Sequence, residues 1–302
     1  MRRFIAGLLA FSLLAVTLSG CVRADSVRDG KISVVCTIFP EYDWARQIIG
    51  DDADDIDLTL LLSSGIDIHN YQPTTADIVK ISTCDLFIYV GGESDKWVND
   101  ALRNAANKDM IVISLMDALG GAAKDDDEHV WLSLKNARIF CPVIAGALSS
   151  LIPSSSADFN DNLDVYMAKL AVLDAEYQTA AGGGRVKTLL FGDRFPFRYL
   201  MEDYGIRYYA AFPGCTTETE ASFGVILSLA QKADELDLTS VVVTESSDKS
   251  IAKAIISNTE TKDQRILVMN AMQSITQADV RNGSTYLSIM ESNLSVLKDA
   301  LK

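Results

Sequence analysis

Histidine is scarce in this sequence: only His69 and His129 occur among 302 residues. Basic residues are also in the minority, with 27 Lys and Arg against 41 Asp and Glu and a formal net charge of -14. Nucleic-acid binding draws on Lys and Arg contacts to phosphate, so this balance argues against a nucleic-acid partner. An acidic surface is compatible with a cationic ligand, although solubility alone explains most acidic surfaces.

Several signatures of enzymes and of structural metal sites are missing. The chain contains no His-Glu-x-x-His, Gly-x-Ser-x-Gly or Walker sequence, which argues against the hydrolases and nucleotide-binding proteins that carry them. Its five cysteines include no Cys-x-x-Cys pair of the kind that holds structural zinc. One of them, Cys21, lies near the N-terminus. We expect at least two of the others to be buried thiols; they are Cys36, Cys84, Cys141 and Cys215.

The N-terminus has the pattern of a lipoprotein signal peptide. Arg2 and Arg3 precede an apolar run, 4–16, and Leu18-Ser19-Gly20-Cys21 follows, which resembles a lipobox. The run is shorter than the roughly 20 residues that a membrane-spanning helix needs. We therefore expect residues 1–20 to be cleaved and Cys21 to be lipidated. The protein would then be anchored to the membrane on its extracytoplasmic side, with the polar residues 21–31 as a linker.

Short apolar, β-branched runs recur along the rest of the chain and alternate with stretches of helical spacing. The runs are 32–38, 86–90, 111–115, 186–191, 241–244 and 266–268. Each is typical of a buried strand, and strands that alternate with helices indicate an α/β fold with mainly parallel sheets. The length favours two lobes, which we place at residues 32–153 and 183–302.

A long helix is predicted between the two lobes, over residues 154–182. Its apolar positions recur at intervals of four and three; they are Phe159, Leu163, Tyr166, Leu170, Leu173 and Tyr177. Pro153 marks its start, and the glycines 182–184 mark its end. A long, rigid connector of this kind suits a binding protein with a cleft between its lobes.

Both histidines follow predicted strands, in loops where α/β folds commonly gather ligand-binding groups. His69 lies in the turn-rich segment 65–73, after the apolar run 58–62, and His129 follows the acidic run 125–128. Imidazole is a common ligand of zinc, and carboxylates can complete the coordination. The two histidines are therefore candidate metal ligands. We expect the acidic run itself to be a solvated loop, and Trp131 and Trp97 to be packing residues, with Trp131 fixing the loop of His129.

The surroundings of both histidines resemble the motifs of a known family. Ile68-His69-Asn70-Tyr71-Gln72-Pro73-Thr74 looks like the first-histidine motif of the zinc- and manganese-binding solute-binding proteins of ABC importers, the cluster A-I or ZnuA/TroA-like family. Glu128-His129-Val130-Trp131-Leu132-Ser133-Leu134 looks like its second-histidine motif, and the segment 286–294 resembles its C-terminal helix. The resemblance covers nearly all of residues 32–302.

The resemblance implies two α/β lobes joined by one long backbone helix. It also implies capture of a divalent transition metal between the lobes and delivery to an ABC permease with its cytoplasmic ATPase. Zinc is the expected cargo, and Mn²⁺ or Fe²⁺ is the alternative, because two imidazoles favour zinc whereas added carboxylates make manganese acceptable.

The C-terminal half departs from the family pattern. The resemblance implies a third ligand at Gly192 and a fourth at Ser284, and neither residue offers a good metal donor. We expect Asp193, one residue along, and Glu245, which follows a strand, to complete the site, with Asp193 contributing more to affinity. Two further candidates are Glu218 and Glu220.

Two other functions remain open from the sequence. A binding protein for an iron chelate or another anionic ligand could use cationic and aromatic residues of the second lobe: Arg194, Arg198, Tyr208 and Tyr209. A zinc-dependent hydrolase is the other alternative, since it also combines His with Asp or Glu.

Overall fold

The structure is a computed structural model that describes residues 30–50, 54–124, 127–212 and 221–302. The predicted signal peptide, the lipidation site Cys21 and most of the predicted linker lie outside these ranges, as do Asp125, Asp126, Cys215, Glu218 and Glu220. In the ranges described, no helix combines the length and the apolarity that crossing a membrane requires.

The first sheet consists of four parallel strands in the order β2-β1-β3-β4. The strands are β1 (Ile32–Cys36), β2 (Ile56–Leu60), β3 (Leu86–Tyr89) and β4 (Ile111–Ser114). β1 and β3, which lie at the centre of the sheet, are the most apolar and the most buried, as expected for parallel strands covered by helices on both faces.

In the first half of the chain, which contains this sheet, the described residues form five α-helices before the long helix: α1 (Phe39–Ile49), α2 (Thr75–Thr83), α3 (Val98–Arg103), α4 (Leu115–Leu119) and α5 (Leu134–Leu151). Their starts are encoded locally. The Thr74 hydroxyl accepts a hydrogen bond from the Asp77 N–H, and the Asp77 carboxylate accepts one from the Thr74 N–H, which forms a capping box for α2. The Ser133 hydroxyl caps α5 directly after the His129 loop.

The long helix α6 (Ser156–Gly183) occupies the place predicted for the connector. The predicted apolar positions are buried except Leu163, which is partly exposed. The Tyr177 hydroxyl donates to the Met290 carbonyl at 2.6 Å, so α6 contacts the last helix of the chain, Tyr286–Ala300. Residues Ile32–Lys302 form one compact unit, and the lobe boundaries at 153 and 183 stay predictions.

The second sheet, in the second half of the chain, repeats the topology of the first, with four parallel strands in the order β6-β5-β7-β8. Its strands are β5 (Thr188–Phe191), β6 (Arg207–Ala210), β7 (Ser240–Thr244) and β8 (Arg265–Met269). Its helices are α7 (Arg198–Asp203), α8 (Phe223–Glu235), α9 (Ser250–Ser257), α10 (Gln277–Arg281) and α11 (Tyr286–Ala300). The predicted α/β class with two mainly parallel sheets is confirmed.

Buried aromatic residues join the two halves. Trp131 is fully buried, and its indole N–H donates to the Ala271 carbonyl at 2.9 Å. The Tyr286 hydroxyl donates to the Trp131 carbonyl at 2.8 Å, and the Tyr286 ring lies 5.1 Å from that of Trp44. The expectation that Trp131 packs beside the His129 loop is confirmed. Three cysteines are buried thiols, as expected: Cys36, Cys84 and Cys141.

Candidate metal site

Both histidines lie in short structured segments after strands of the first sheet. His69 is the middle residue of a 3₁₀ turn, Ile68–Asn70, and the Asp67 carboxylate caps this turn by accepting from the His69 N–H at 3.0 Å. His129 directly precedes a second 3₁₀ turn, Val130–Leu132, and its N–H donates to the Asp127 carboxylate at 3.0 Å. Each backbone is thus fixed by a carboxylate two residues earlier.

The two imidazole rings face each other through the same nitrogen. His69 Nε2 and His129 Nε2 are 3.2 Å apart, and the His129 side chain is 3% exposed against 15% for His69. Zinc binds imidazole nitrogen at about 2.0–2.1 Å, and a tetrahedral angle at the metal then separates two such nitrogens by roughly 3.3 Å. The observed separation therefore fits two ligands of one ion.

The other ring nitrogen of each histidine has an oxygen partner. His129 Nδ1 lies 2.7 Å from Asp127 Oδ1. His69 Nδ1 lies 2.8 Å from Ser94 Oγ and 3.1 Å from Glu128 Oε1. A carboxylate accepts hydrogen bonds and donates none, so it keeps the ring hydrogen on Nδ1 and leaves the lone pair on Nε2. This tautomer is the one that a metal between the two Nε2 atoms requires.

The acidic residues before His129 are buried, and the expectation of a solvated loop is wrong for the two that are described. Asp127 and Glu128 are 6% and 7% exposed. Burial alone would raise the pKa of Glu128, but the hydrogen bonds from His69 and Ser94 outweigh it and lower that pKa. Glu128 therefore keeps its negative charge next to the histidine pair.

Gln273, which was not among the residues predicted from the sequence, brings the second half of the chain to the histidines. Its amide nitrogen lies 3.0 Å from His69 Nε2 and 2.9 Å from His129 Nε2. An amide NH₂ has two hydrogens and can donate one to each lone pair. A half-turn of the amide would bring its oxygen to the same place, and carbonyl oxygen is an accepted metal donor. Its position could have indicated a role in the site, because Gln273 lies in the loop that directly follows β8.

Glu245 supports this loop. Its two carboxylate oxygens accept hydrogen bonds from the Ala271 N–H at 2.8 Å and from the Gln273 N–H at 3.4 Å. Burial raises the pKa of Glu245, and these backbone donors oppose that rise. The predicted ligand Glu245 therefore contacts the backbone of the loop that carries the Gln273 amide.

Asp193 is held by its own neighbours at the end of β5. One carboxylate oxygen accepts from the Thr244 hydroxyl at 2.7 Å, and the other accepts from the Arg194 N–H at 2.8 Å. Within the ranges that the structure describes, no three His, Cys, Asp or Glu side chains are grouped to hold a metal ion. The structure therefore brings His69 and His129 together, but neither Asp193 nor Glu245 joins them in such a group.

Gly192 and Ser284 occupy the two positions at which the resemblance implied a further ligand. A Cβ atom at Gly192 would lie 2.8 Å from both Ala252 Cα and Val241 Cγ1, so no side chain fits there. In the C-terminal segment, Gln273 rather than Ser284 contacts both histidines. The carbonyl of Ser284 accepts a hydrogen bond from Arg46 at 3.2 Å.

The cationic residues suggested for an anionic ligand have carboxylate partners. Arg194 Nη1 lies 3.7 Å from Asp67 Oδ2, and Arg198 Nε donates to Glu202 at 3.1 Å. The Tyr208 ring stacks on Phe195 with centroids 4.1 Å apart. These contacts compensate the positive charge that an anionic ligand would need, and they favour a cation as the ligand of this region.

Comparison with known proteins gives consistent results. The family model described as ZnuA, zinc-uptake complex component A periplasmic, matches residues 34–300. The zinc-binding lipoprotein AdcA of Streptococcus pneumoniae is 28% identical over 308 residues, which cover 96% of this chain and 60% of that protein. The high-affinity zinc uptake system protein ZnuA of Bacillus subtilis is 27% identical, with 92% of this chain and 90% of that protein covered.

Solved structures show the same fold. The metal-dependent lipoprotein YcdH from Bacillus subtilis has a TM-score of 0.76 and 27% identity, covering 90% of this chain and all of that one. The Zn(II)-bound ZnuA-like domain of Streptococcus pneumoniae AdcA has a TM-score of 0.74 and 27% identity, covering 90% of this chain and 99% of the domain. This chain spans about 60% of the length of the AdcA relatives it matches. The match over residues 34–300 confirms the resemblance seen in the histidine motifs, and the chain belongs to the ZnuA family of zinc-uptake complex components.

Proposed function

We propose that this chain captures a divalent transition-metal ion outside the membrane and delivers it to an ABC importer, with zinc as the cargo. The proposed contacts are the Nε2 atoms of His69 and His129 and, after rotation of its amide, the Oε1 atom of Gln273. Water or a neighbouring oxygen would complete the coordination, and variants of the predicted Asp193 and Glu245 test whether either carboxylate takes that place.

One observation carries the proposal. The two Nε2 atoms are 3.2 Å apart, while both Nδ1 atoms are engaged by oxygen partners. Two lone pairs at that distance repel each other unless a cation or a hydrogen-bond donor lies between them. In the structure the amide of Gln273 supplies the donor, and a metal ion would supply the cation.

The donor types favour zinc over manganese. Imidazole suits zinc, and zinc follows manganese in the general order of increasing affinity for such sites, whereas a manganese site is expected to be richer in carboxylates. The names of the relatives point the same way, since AdcA is called zinc-binding and ZnuA is called a zinc uptake protein. Mn²⁺ and Fe²⁺ are the alternatives that the test has to exclude.

The delivery part of the proposal depends on the N-terminal motif and on the family. A lipid on Cys21 would keep the protein beside the membrane, where the permease and its ATPase partner receive the ion. Replacing Cys21 with Ala should shift the protein from the membrane fraction to the soluble extracytoplasmic fraction. Retention of that variant in the membrane would contradict the lipid anchor.

Equilibrium titration of the chelator-treated protein tests the capture part. Zinc, manganese and iron(II) are titrated separately in competition with a chromophoric chelator, and a ferric chelate is titrated in parallel. We expect one zinc ion per chain with the highest affinity. Binding of the ferric chelate alone would favour the anionic-ligand alternative. Hydrolytic turnover by the zinc-loaded protein that disappears in His69→Ala would favour the hydrolase.

A further inference from the structure

Glu128 is next to one histidine in the chain, but its carboxylate reaches the other one. Its Oε1 atom lies 3.1 Å from His69 Nδ1, and its Oε2 atom accepts from the Ser94 N–H at 2.9 Å. The Ser94 hydroxyl donates to Glu128 Oε1 and lies 2.8 Å from His69 Nδ1. His129 uses a different carboxylate, that of Asp127. Two consecutive acidic residues thus serve two different rings.

The backbone makes room for this contact. Gly92 has a φ of +98°, and a Cβ atom on it would lie 2.7 Å from Glu128 Oε2 and 2.9 Å from Glu128 Cβ. Only glycine combines this φ with so close an approach. The Glu128 side chain is 8% exposed, and a buried carboxylate is costly unless it is paired. Its partners are the groups that hold the first histidine.

We propose that Glu128 is the positioning residue of His69, and that it fixes the ring with the hydrogen on Nδ1 and the lone pair on Nε2. A carboxylate only accepts, so the Ser94 hydroxyl must donate its single hydrogen to Glu128. The Ser94 oxygen can then only accept from His69, which requires the hydrogen on Nδ1. The direct contact between Glu128 and His69 has the same direction, with His69 Nδ1–H as the donor and Glu128 as the acceptor.

This inference rests on the proposed metal-binding function, because it assigns Glu128 a role in presenting His69 Nε2 to the ion. Outer carboxylates that orient ligating imidazoles typically change metal affinity by about 10- to 100-fold when they are removed. Glu128 would act through His69 without touching the ion.

The substitution Glu128→Gln tests the direction of these hydrogen bonds, because it leaves the shape of the side chain nearly unchanged. The Gln oxygen would accept from the Ser94 N–H, and its NH₂ group would face Ser94 Oγ and His69 Nδ1. Ser94 would then donate to His69, and the ring hydrogen would move to Nε2, where it blocks the metal. We expect zinc affinity to fall by about 10- to 100-fold. The matched control is Glu93→Gln, which removes the same charge from a neighbouring side chain that is 81% exposed.

Nitrogen-15 NMR of the metal-free protein reports the tautomer directly, and His129→Ala identifies the remaining histidine signals as those of His69. We expect the Nδ1–H form of His69 in the wild type and the Nε2–H form in Glu128→Gln. Ser94→Ala should keep the Nδ1–H form, because the carboxylate contacts the ring directly. A wild-type His69 in the Nε2–H form overturns the inference even if no variant folds.

The zinc titrations separate the proposed metal-binding function from the role of Glu128. If the wild type binds no zinc, the proposed function fails, whereas the tautomer of the metal-free protein still tests the role of Glu128. If the wild type binds zinc and Glu128→Gln matches Glu93→Gln in affinity and in the His69 tautomer, Glu128 is not a positioning residue and the proposed function stands.

Discussion

The two sheets have the same strand order, but the loops at their ends use acidic residues in different ways. In the first half, carboxylates engage imidazole nitrogens: Asp127 contacts His129, and Glu128 contacts His69. In the second half, carboxylates engage the backbone and a hydroxyl: Glu245 holds the loop of Gln273, and Asp193 holds Thr244.

This difference shows why similar sequence features in the two halves have different consequences. An acidic residue after a strand can orient a ligand or hold a loop, and the partner opposite it decides which. The first half contributes two aromatic nitrogens with their orientation fixed. The second half contributes one neutral amide, carried by a loop that its own carboxylate keeps in place.

The largest expected effect is the loss of either histidine. Without one imidazole the remaining neutral donors cannot hold the ion, so His69→Ala and His129→Ala should each weaken zinc binding by at least about 100-fold. Competition titration measures this. Asn70→Ala, which changes the exposed neighbour of His69, serves as the control and should bind like the wild type. Wild-type affinity in both histidine variants would end the assignment of the site to the first half.

The first half should also show a distinct pH response through Asp95, which lies next to Ser94. Burial, with a smaller contribution from the charge of Glu128, raises the pKa of Asp95 to about 7 despite backbone hydrogen bonds from Gly91 and Val90. This value is above that of the unfolded chain. The group therefore stabilises the fold most at low pH, and this stability is lost as the pH rises through 7.

Replacing Asp95 with Asn removes that titration. Between about pH 5 and pH 8 the wild type should lose roughly 2 kcal/mol more unfolding free energy than Asp95→Asn does. Urea denaturation of the metal-free proteins at several pH values measures the difference. Asp100→Asn, on an exposed side chain of α3, is the control and should follow the wild type. Parallel curves for Asp95→Asn and wild type would show that Asp95 is ionised at low pH.

An intermediate effect is expected at Gln273, the group through which the second half reaches the histidines. Gln273→Ala should weaken zinc binding by about 10-fold, as expected for loss of one neutral group beside the ion. Gln273→Glu should tighten it, because a negative charge replaces a neutral amide near the cation. The exposed Gln277→Ala is the matched control. If Gln273→Ala and Gln273→Glu both bind like the wild type, the first half binds the metal alone.

The smallest effect compares the two acidic residues of the second half. Glu245→Gln loses one acceptor for the backbone of the Gln273 loop, and one hydrogen bond of this kind corresponds to about a fivefold loss of affinity. Asp193→Asn should leave affinity unchanged, since its contacts are with Thr244 and Arg194. From the sequence alone we expect the opposite order, with the larger loss of affinity in Asp193→Asn. A larger loss in Asp193→Asn would support direct coordination by Asp193.

Local sequence patterns predicted most of the fold but missed the strand β6. Its sequence, Arg207–Ala210, is not a continuous apolar run, and Arg207 and Tyr209 are exposed. The other strands contain more continuous apolar runs, and the helix over 154–182 was predicted from its spacing of buried positions.

The sequence by itself determined the alternation of strands and helices, the long helix and the two histidine segments, because each depends on neighbours within a few residues. Only the tertiary structure decided that Gln273 meets His129 across 144 positions, that Glu128 reaches His69 across 59, and that Val241 and Ala252 fill the space beside Gly192. The physical reason is that packing between distant parts of the chain sets these distances. Packing of the two halves around Trp131 and Tyr286 brings Gln273 to His129, and packing within each half sets the other two contacts. No local pattern in the chain specifies them.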